Sequence, residues 1–337
     1  MDISVCIVTY NAAEHIGACL RSIMALLPHG GRTEVLVIDG CSTDDTPKIV
    51  HSFAGSVRLV GNPKRTIASN RNVAVREALY PYIAFTDSDC IVPNNWLRML
   101  SQSFEAIQKE EARLVGVGSG NIAPLGKSPF QTALGISLDS FLGSLGSVQG
   151  KIFGERRRVA SIACLNALYA RAALESVGGF DERLENMCED ADMNYRLDKK
   201  GYGLYFVPGI LVEHDARRSL LSWCVNMYHY GVGRAKIMRK HRTLFSPAHA
   251  VALFFLPVLF MASLIGIVWP QAFLVWLYVP AVMLSGLFLA MNRRSALGLR
   301  VGLILLGTHL FYAAGLCRGF FAGYSGNSET GRMRDVP

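Results

Sequence analysis

Ile83-Ala84-Phe85-Thr86-Asp87-Ser88-Asp89-Cys90 decides how this chain is read. The apolar run at 82–85 has the composition of a buried strand, and it ends in two carboxylates two residues apart. In an open α/β sheet, ligands bind beyond the carboxyl ends of the strands. Inside a core these aspartates would be buried unpaired charges, which are costly. At a strand end they hold a hard divalent cation through oxygen, and such a cation clamps a diphosphate. An isolated D-x-D also occurs in ordinary exposed turns, so its meaning rests on its surroundings.

Toward the N-terminus, the spacing predicts a helix at 67–78 and a strand at 57–60. A helix at 46–53 carries Pro47 in its first turn. A strand at 34–38 runs into the polar loop Asp39-Gly40-Cys41-Ser42-Thr43-Asp44-Asp45-Thr46. Ile16, Leu20, Ile23, Met24 and Leu27 give 13–27 helical spacing, and 3–9 is a β-branched, apolar strand. Toward the C-terminus, a helix at 95–110 precedes a strand at 114–119. Alternating strands and helices predict an α/β fold with a mostly parallel sheet covered on both faces. Residues 120–160 are rich in Gly, Ser and Pro and read as irregular with local helix, Arg156-Arg157-Arg158 being a mobile basic loop. A strand at 162–169, a short helix at 171–177, a helix at 189–199 and short strands at 204–206 and 210–212 follow.

Of the 337 residues, 51% are hydrophobic and 18% charged, and the two classes are segregated. Residues 1–245 carry most of the charge, whereas 248–322 are nearly all apolar. Segments 249–269, 272–291 and 301–321 are each about 20 residues, enough to cross ~30 Å of hydrocarbon. The third contains His309 and several glycines, and whether it spans or re-enters stays open. Just before them, 220–241 sets Trp223, Met227, Tyr230 and Ile237 among Arg234, Lys236, Arg239 and Lys240, the pattern of an interfacial helix. The net charge of +8 fits an anionic membrane surface. No nucleic-acid motif accompanies it. Basic stretches at 234–242 and 293–300 are expected on the cytoplasmic side. The N-terminus lacks a signal peptide, so the expectation is a multi-pass protein of the inner (plasma) membrane with a cytoplasmic catalytic domain. Eight single cysteines without a CxxC pair point to reduced thiols rather than to a zinc or disulfide framework. The expected organisation is a globular domain at 1–217, amphipathic helix at 218–246, about three membrane helices at 247–322 and a polar tail at 323–337.

Several motifs then stand in order. Val8-Thr9-Tyr10-Asn11 closes the first strand, and the 39–46 loop closes the second. Ala68-Ser69-Asn70-Arg71-Asn72 opens a helix, and Asp87-Ser88-Asp89 follows. Val177-Gly178-Gly179-Phe180-Asp181-Glu182 precedes Glu189-Asp190-Ala191-Asp192. Residues 3–215 thereby resemble glycosyltransferase family 2, inverting enzymes of the GT-A fold that act on nucleotide-diphospho-sugars. No Q-x-x-R-W follows the acidic motif, which sets the chain apart from processive synthases. Tyr230-Gly231-Val232-Gly233-Arg234 and the apolar helices resemble bacterial exopolysaccharide glycosyltransferases of the succinoglycan kind.

An inverting transfer needs a base for the acceptor hydroxyl and charge stabilisation for the leaving nucleoside diphosphate. Asp190 is the candidate base, at a helix start where the dipole favours its ionised form. Glu189 and Asp192 are the alternatives, and an acidic first turn of a surface helix has the same composition. The resemblance implies that Thr9, Tyr10, Asn11, Asp39, Arg71, Asp87 and Ser88 bind the nucleotide. It implies Asp89, Asp87 and His214 as ligands to Mn2+ or Mg2+, with an imidazole favouring Mn2+. Arg234 and Asp192 are candidate diphosphate or acceptor contacts. The expected donor is a UDP-sugar and the expected acceptor a polyprenyl-diphosphate-linked saccharide. Within the same class, the rival is a polyprenyl-phosphate sugar synthase. An inert nucleotide-sugar-binding partner subunit is the remote one. A dinucleotide-binding oxidoreductase lacks its G-x-G-x-x-G, since Thr9-Tyr10-Asn11 stands after the first strand.

Overall fold

In β1 (Ile3–Thr9) and β2 (Thr33–Asp39), successive buried side chains feed two different cores. Ile3, Val5, Ile7, Val35 and Val37 pack on one side, and Cys6, Leu36 and Ile38 on the other. A sheet buried on both faces has this pattern, and helices supply both covers. The computed structural model describes residues 1–122, 128–144, 153–215, 219–245 and 247–321. Those residues form two compact units, 1–122 with 153–215, and 128–144 with 219–321.

After β1 the first unit continues through α1 (Ile16–Met24), β2, α2 (Thr46–His51), β3 (Arg58–Gly61), α3 (Ile67–Glu77) and β4 (Tyr82–Asp87). Then come β5 (Cys90–Ile91), α4 (Trp96–Gln108), β6 (Leu114–Gly118) and β7 (Asn121–Ile122). Helices α5 (Pro129–Asp139) and α6 (Phe141–Ser144) belong to the second unit. The first resumes with β8 (Arg157–Arg158), β9 (Ala167–Ala170), α7 (Arg171–Ser176), α8 (Glu189–Lys199), β10 (Gly203–Phe206) and β11 (Val212–His214). The main sheet runs β3-β2-β1-β4-β9-β6-β10-β8, and a small sheet runs β5-β11-β7. Pairings among β3, β2, β1 and β4 are parallel. Strand β9 runs antiparallel between β4 and β6. Residues of α1 and α4, such as Leu20 and Phe104, cover one face, and residues of α3, α7 and α8, such as Ala74, Leu174 and Leu197, cover the other.

This register positions the motifs. Thr9 pairs with Asp39, and Val8 with Asp87, so three polar strand ends meet at one edge. The mostly parallel α/β sheet expected from the sequence is present. Four local expectations are corrected. Arg157 and Arg158 form an edge strand opposite Phe206 and Tyr205 rather than a mobile loop. Arg157 gains a cation–π contact with Phe153, 4.2 Å from the ring centroid. The strand expected over 162–169 begins with a tight turn at Cys164–Asn166, leaving only Ala167–Ala170 in the ladder. The strand expected at 210–212 lies at Val212–His214, shifted because it pairs with β5 and β7 in the small sheet. Finally, 128–144 leaves the 1–217 domain, because Ala133 and Leu134 of α5 are buried against Val301, Ile304 and Leu305.

The second unit holds α5, α6, α9 (Leu220–Lys240), α10 (Pro247–Gly266), α11 (Tyr278–Asn292) and α12 (Gly298–Phe321). Three helical segments, Pro247–Gly266, Pro270–Asn292 and Gly298–Phe321, are long and apolar enough to cross a membrane. In the most apolar stretch of each of the first two only 11% is buried, against 50% in the third, so α12 is the packed helix of the group. Its polar side chains Thr308 and His309 have partners. Trp223 Nε1 donates to Thr308 Oγ1 at 2.8 Å. His309 sits between the Tyr278 hydroxyl and the Leu142 carbonyl, the latter at 2.8 Å. Helix α9 is no lone surface helix, since its Gly231, Ala235 and Tyr228 backbone press on α12. The expected tail at 323–337 lies outside the described residues.

Candidate active site

Loops after β1 and β2 are laced together. The Asn11 amide donates to Ser42 Oγ at 2.8 Å, and the Thr43 amide donates to Asn11 Oδ1 at 2.8 Å. Thr46 Oγ1 accepts from the Ala12 amide at 2.8 Å. Asn11 and Cys41 take positive φ values of 45° and 58°, strained for non-glycine residues and held by these bonds. Asp39 is nearly buried and accepts from the Ser42 amide at 2.9 Å and from its hydroxyl. Tyr10 lies over Gly40, where an added Cβ would come within 3.3 Å of its ring. Thr9 Oγ1 is buried with no hydrogen-bond partner among the described residues.

Arg71 joins the motifs. Helix α3, which carries it, is capped by Thr66, whose hydroxyl accepts from the Ser69 amide. The Arg71 guanidinium is buried, with its carbon 5.8 Å from the Phe180 ring centroid. One terminal nitrogen donates to Glu189, and the other to Asp87 Oδ1 at 3.2 Å. The end of β4, the start of α8 and the Gly-Gly-Phe turn are therefore tied by one side chain. Asn72 reinforces that turn, accepting from the Phe180 amide at 2.8 Å and donating to Glu182 at 3.0 Å.

The three acidic residues of α8 have different surroundings. Glu189 is buried on Arg71. Burial raises its pKa to about 7, against the pull of Arg71 and with help from the Asp190 charge. Asp192 is fully buried and accepts from Arg196 Nε at 2.8 Å. Arg196 in turn donates to the Val177 and Gly179 carbonyls, so Asp192 braces the glycine turn instead of facing a diphosphate. Asp190 is partly exposed and accepts from the Ala191 amide at 2.7 Å, and it makes no ion pair among the described residues. Cys188 precedes the helix at φ 58°, a strained turn that sets its direction.

At the end of β4 the two aspartates diverge. Burial raises the Asp87 pKa, opposed by Arg71 and assisted by the Asp89 charge. At Asp89 burial also works upward, but His214 overcomes it and holds the carboxyl at about 2. His214 Nε2 lies 3.2 Å from Asp89 Oδ2, and the Asp215 amide donates to the Asp89 carbonyl at 3.0 Å. Ser88 sits in the turn between the aspartates, partly exposed. Ligand atoms of Asp89, Cys90 and His214 all lie within 4.8 Å of one another. Sequence reasoning passed over Cys90 and the neighbouring His15–Asp215 pair, 3.5 Å apart. Adjacency to the aspartates was the only signal for Cys90, and none existed for His15. Arg234 lies in the second unit, on α9, where it bonds the Tyr230 hydroxyl at 2.9 Å.

Two family models match this chain. Glycosyl transferase family 2 matches over residues 4–118, and glycosyl transferase family group 2 over residues 82–290. Over 321 residues the chain is 29% identical to the succinoglycan biosynthesis protein ExoA of Rhizobium meliloti (strain 1021), covering 91% of this chain and 92% of that one. Over 337 residues it is 23% identical to a dolichyl N-acetyl-alpha-D-glucosaminyl phosphate 3-beta-D-2,3-diacetamido-2,3-dideoxy-beta-D-glucuronosyltransferase of Methanococcus voltae, covering 96% and 98%. Among solved structures, the mannosyltransferase PcManGT from Pyrobaculum calidifontis, in complex with GDP-Man and Mn2+, matches with a TM-score of 0.58. Identity there is 18%, over 95% of this chain and 87% of that one, so the likeness is one of fold. With its strand ends, acidic motifs and sheet order, the chain belongs to glycosyltransferase family 2 and is a glycosyltransferase of the GT-A fold.

Proposed function

We propose that this enzyme transfers a sugar, with inversion, from a nucleotide-sugar to a polyprenyl-diphosphate-linked saccharide during cell-surface or extracellular polysaccharide assembly. The observation that carries the reading is the Arg71 bridge, which joins Asp87 to Glu189 and so brings the strand-end carboxylates to the start of α8. The relatives support the acceptor class: one is named for succinoglycan biosynthesis and another acts on a dolichyl-linked sugar.

The roles follow from surroundings. Asp190, partly exposed and outside any described ion pair, takes the acceptor proton. Glu189 stays on Arg71 and orients it. Thr9, Tyr10, Asn11, Asp39, Ser88 and Arg71 bind the nucleotide, and Asp87 lies between ribose and cation. The donor atoms fit a divalent ion. Cis ligands of an ion bound at ~2.1 Å stand ~3 Å apart, and Asp89 and His214 are 3.2 Å apart. Asp89 and His214, with Asp87, would hold Mn2+ in preference to Mg2+, because imidazole is a softer donor. Such an ion supplies charge stabilisation to the leaving diphosphate. UDP is our proposed nucleotide. The three apolar helices tether the transferase to the inner membrane, with the basic stretches near 234–242 and 293–300 on the cytoplasmic side together with the catalytic unit.

A donor screen tests this. Purified protein is given UDP- and GDP-sugars, with and without Mn2+ and a polyprenyl-diphosphate-linked saccharide, and released nucleoside diphosphate is measured. Release that requires both Mn2+ and the lipid-linked saccharide is expected. Sugar transfer to polyprenyl phosphate alone would overturn the acceptor assignment.

A further inference from the structure

Cys90 is the one donor of the Asp89–Cys90–His214 cluster that the proposed metal site leaves unused. Its place is set by backbone. Cys90 and His214 are directly opposed in the antiparallel β5–β11 ladder, and opposed residues on such strands put their side chains on the same face. Asp89 is the residue before Cys90, and the Asp215 amide, just beyond His214, donates to the Asp89 carbonyl at 3.0 Å. Both chain segments are thus pinned beside each other. The Cys90 thiol donates to Asp89 Oδ1 at 3.8 Å, while Asp89 Oδ2 faces His214 Nε2 at 3.2 Å. One thiol, one carboxylate and one imidazole therefore converge with their ligand atoms within 4.8 Å. Cys90 is completely buried, whereas the Asp89 and His214 side chains are 35% and 24% exposed. Cys90 forms the floor of the cluster, and an ion enters past the other two.

We propose that Cys90 makes this cluster a three-ligand site for thiophilic divalent ions of the Zn2+ class, through which they displace the hard catalytic ion and inhibit transfer. The inference rests on Asp89 and His214 forming the metal site proposed above. Asp, Cys and His are the donor types of zinc sites, and three protein ligands with an open fourth position form a stable one. Thiolate donors select Zn2+ and its softer relatives over Mn2+, and an imidazole site already prefers Zn2+ to Mn2+. On binding, the Cys90 S–H bond breaks, its proton leaves to solvent, and a sulfur–metal bond forms, with no change in oxidation state. The same cluster without sulfur would be a poorer competitor for Zn2+ and an equally good site for Mn2+.

The test uses the full-length protein in detergent and Cd2+ as a spectroscopic stand-in for Zn2+. One equivalent of Cd2+ is expected to raise a thiolate-to-metal charge-transfer band in the ultraviolet. Excess Mn2+ should reduce the band, Cys90→Ser should abolish it, and Cys41→Ser should retain it. Zn2+ affinity should fall by at least the ~10–100-fold that loss of a metal-site partner costs, with Mn2+ affinity, read by electron paramagnetic resonance, changed far less. Mn2+ binding without a charge-transfer band in the wild type would overturn this inference and leave the Mn2+ site standing. A band that survives Cys90→Ser would overturn it too. Failure of both ions to bind would overturn both. The wild-type measurement decides even where Cys90→Ser does not fold.

Discussion

Three carboxylates on one helix turn, all candidates for the same role in the sequence, have separate fates in the fold. Glu189 and Asp192 are buried on arginines, and Asp190 is left partly exposed. Asp190→Asn should therefore lower kcat by roughly 10²–10⁴-fold, the usual worth of a general base, with an unchanged melting temperature. Arg71→Ala leaves Glu189 and Asp87 without their buried partner, and breaking such a pair costs about 3–5 kcal/mol. Denaturant unfolding would measure it, and Arg71→Lys should recover only part, because one ammonium does not reproduce the two-pronged guanidinium. Glu189 also confers a pH dependence. Its pKa rises from the ordinary 4.5 to about 7 on folding, chiefly through burial. Between those values the folded state holds more protons than the unfolded state, so stability falls as pH rises. Glu189→Gln cannot titrate, so the stability of the wild type relative to the variant should fall from pH 4.5 to pH 7. Identical slopes in the two proteins would contradict the burial of an ionisable Glu189. The identities of these residues were readable from motif order. Their exposure was not, since helical spacing assigns faces but does not say which face meets the cleft.

Elements were legible where their pattern is local. The parallel strands β1 to β4 and helix α8 fall where apolar pattern puts them, because each carries that pattern in its own short stretch of residues. Elements whose partners are distant in sequence were misplaced or left undefined. Strand β8 exists only by pairing with β10, and β11 only by pairing with β5 and β7. Helix α5 finds its apolar cover more than 150 residues downstream, on α12. The basic residues of α9 drew the eye to a membrane surface, yet its glycines decide its packing. A Cβ on Gly315 would lie 2.0 Å from the Tyr228 carbonyl oxygen, and one on Gly231 would lie 2.3 Å from that of Tyr312. Backbone cannot yield as a flexible side chain does. Gly315→Val should cost at least the ~1–3 kcal/mol of an overpacked core, read as a lowered melting temperature in detergent. The same change at Gly135, with nothing within 4 Å of its Cβ, should cost far less.

At the scale of the molecule, the segregation of charge from apolar residues separated the α/β unit from a group of helices long and apolar enough to cross a membrane. The proposed orientation is checked by accessibility labelling of single cysteines in intact cells. A cysteine beside Arg293 should be protected from an impermeant reagent, and one beside Trp269 should react. The reverse pattern would invert the topology. By itself the sequence determined the α/β class, the family and the three apolar segments, because these depend on composition, short-range period and motif order, which are properties of a linear chain. Only the tertiary structure decided that Arg71 bridges Asp87 and Glu189, that Asp192 serves a glycine turn, and that Cys90 faces His214. Apart from the Asp192–Arg196 pair, four residues apart, these contacts join residues 16 to more than 100 positions apart. Their existence depends on strand register and on which groups lose water together, and neither is encoded in local spacing.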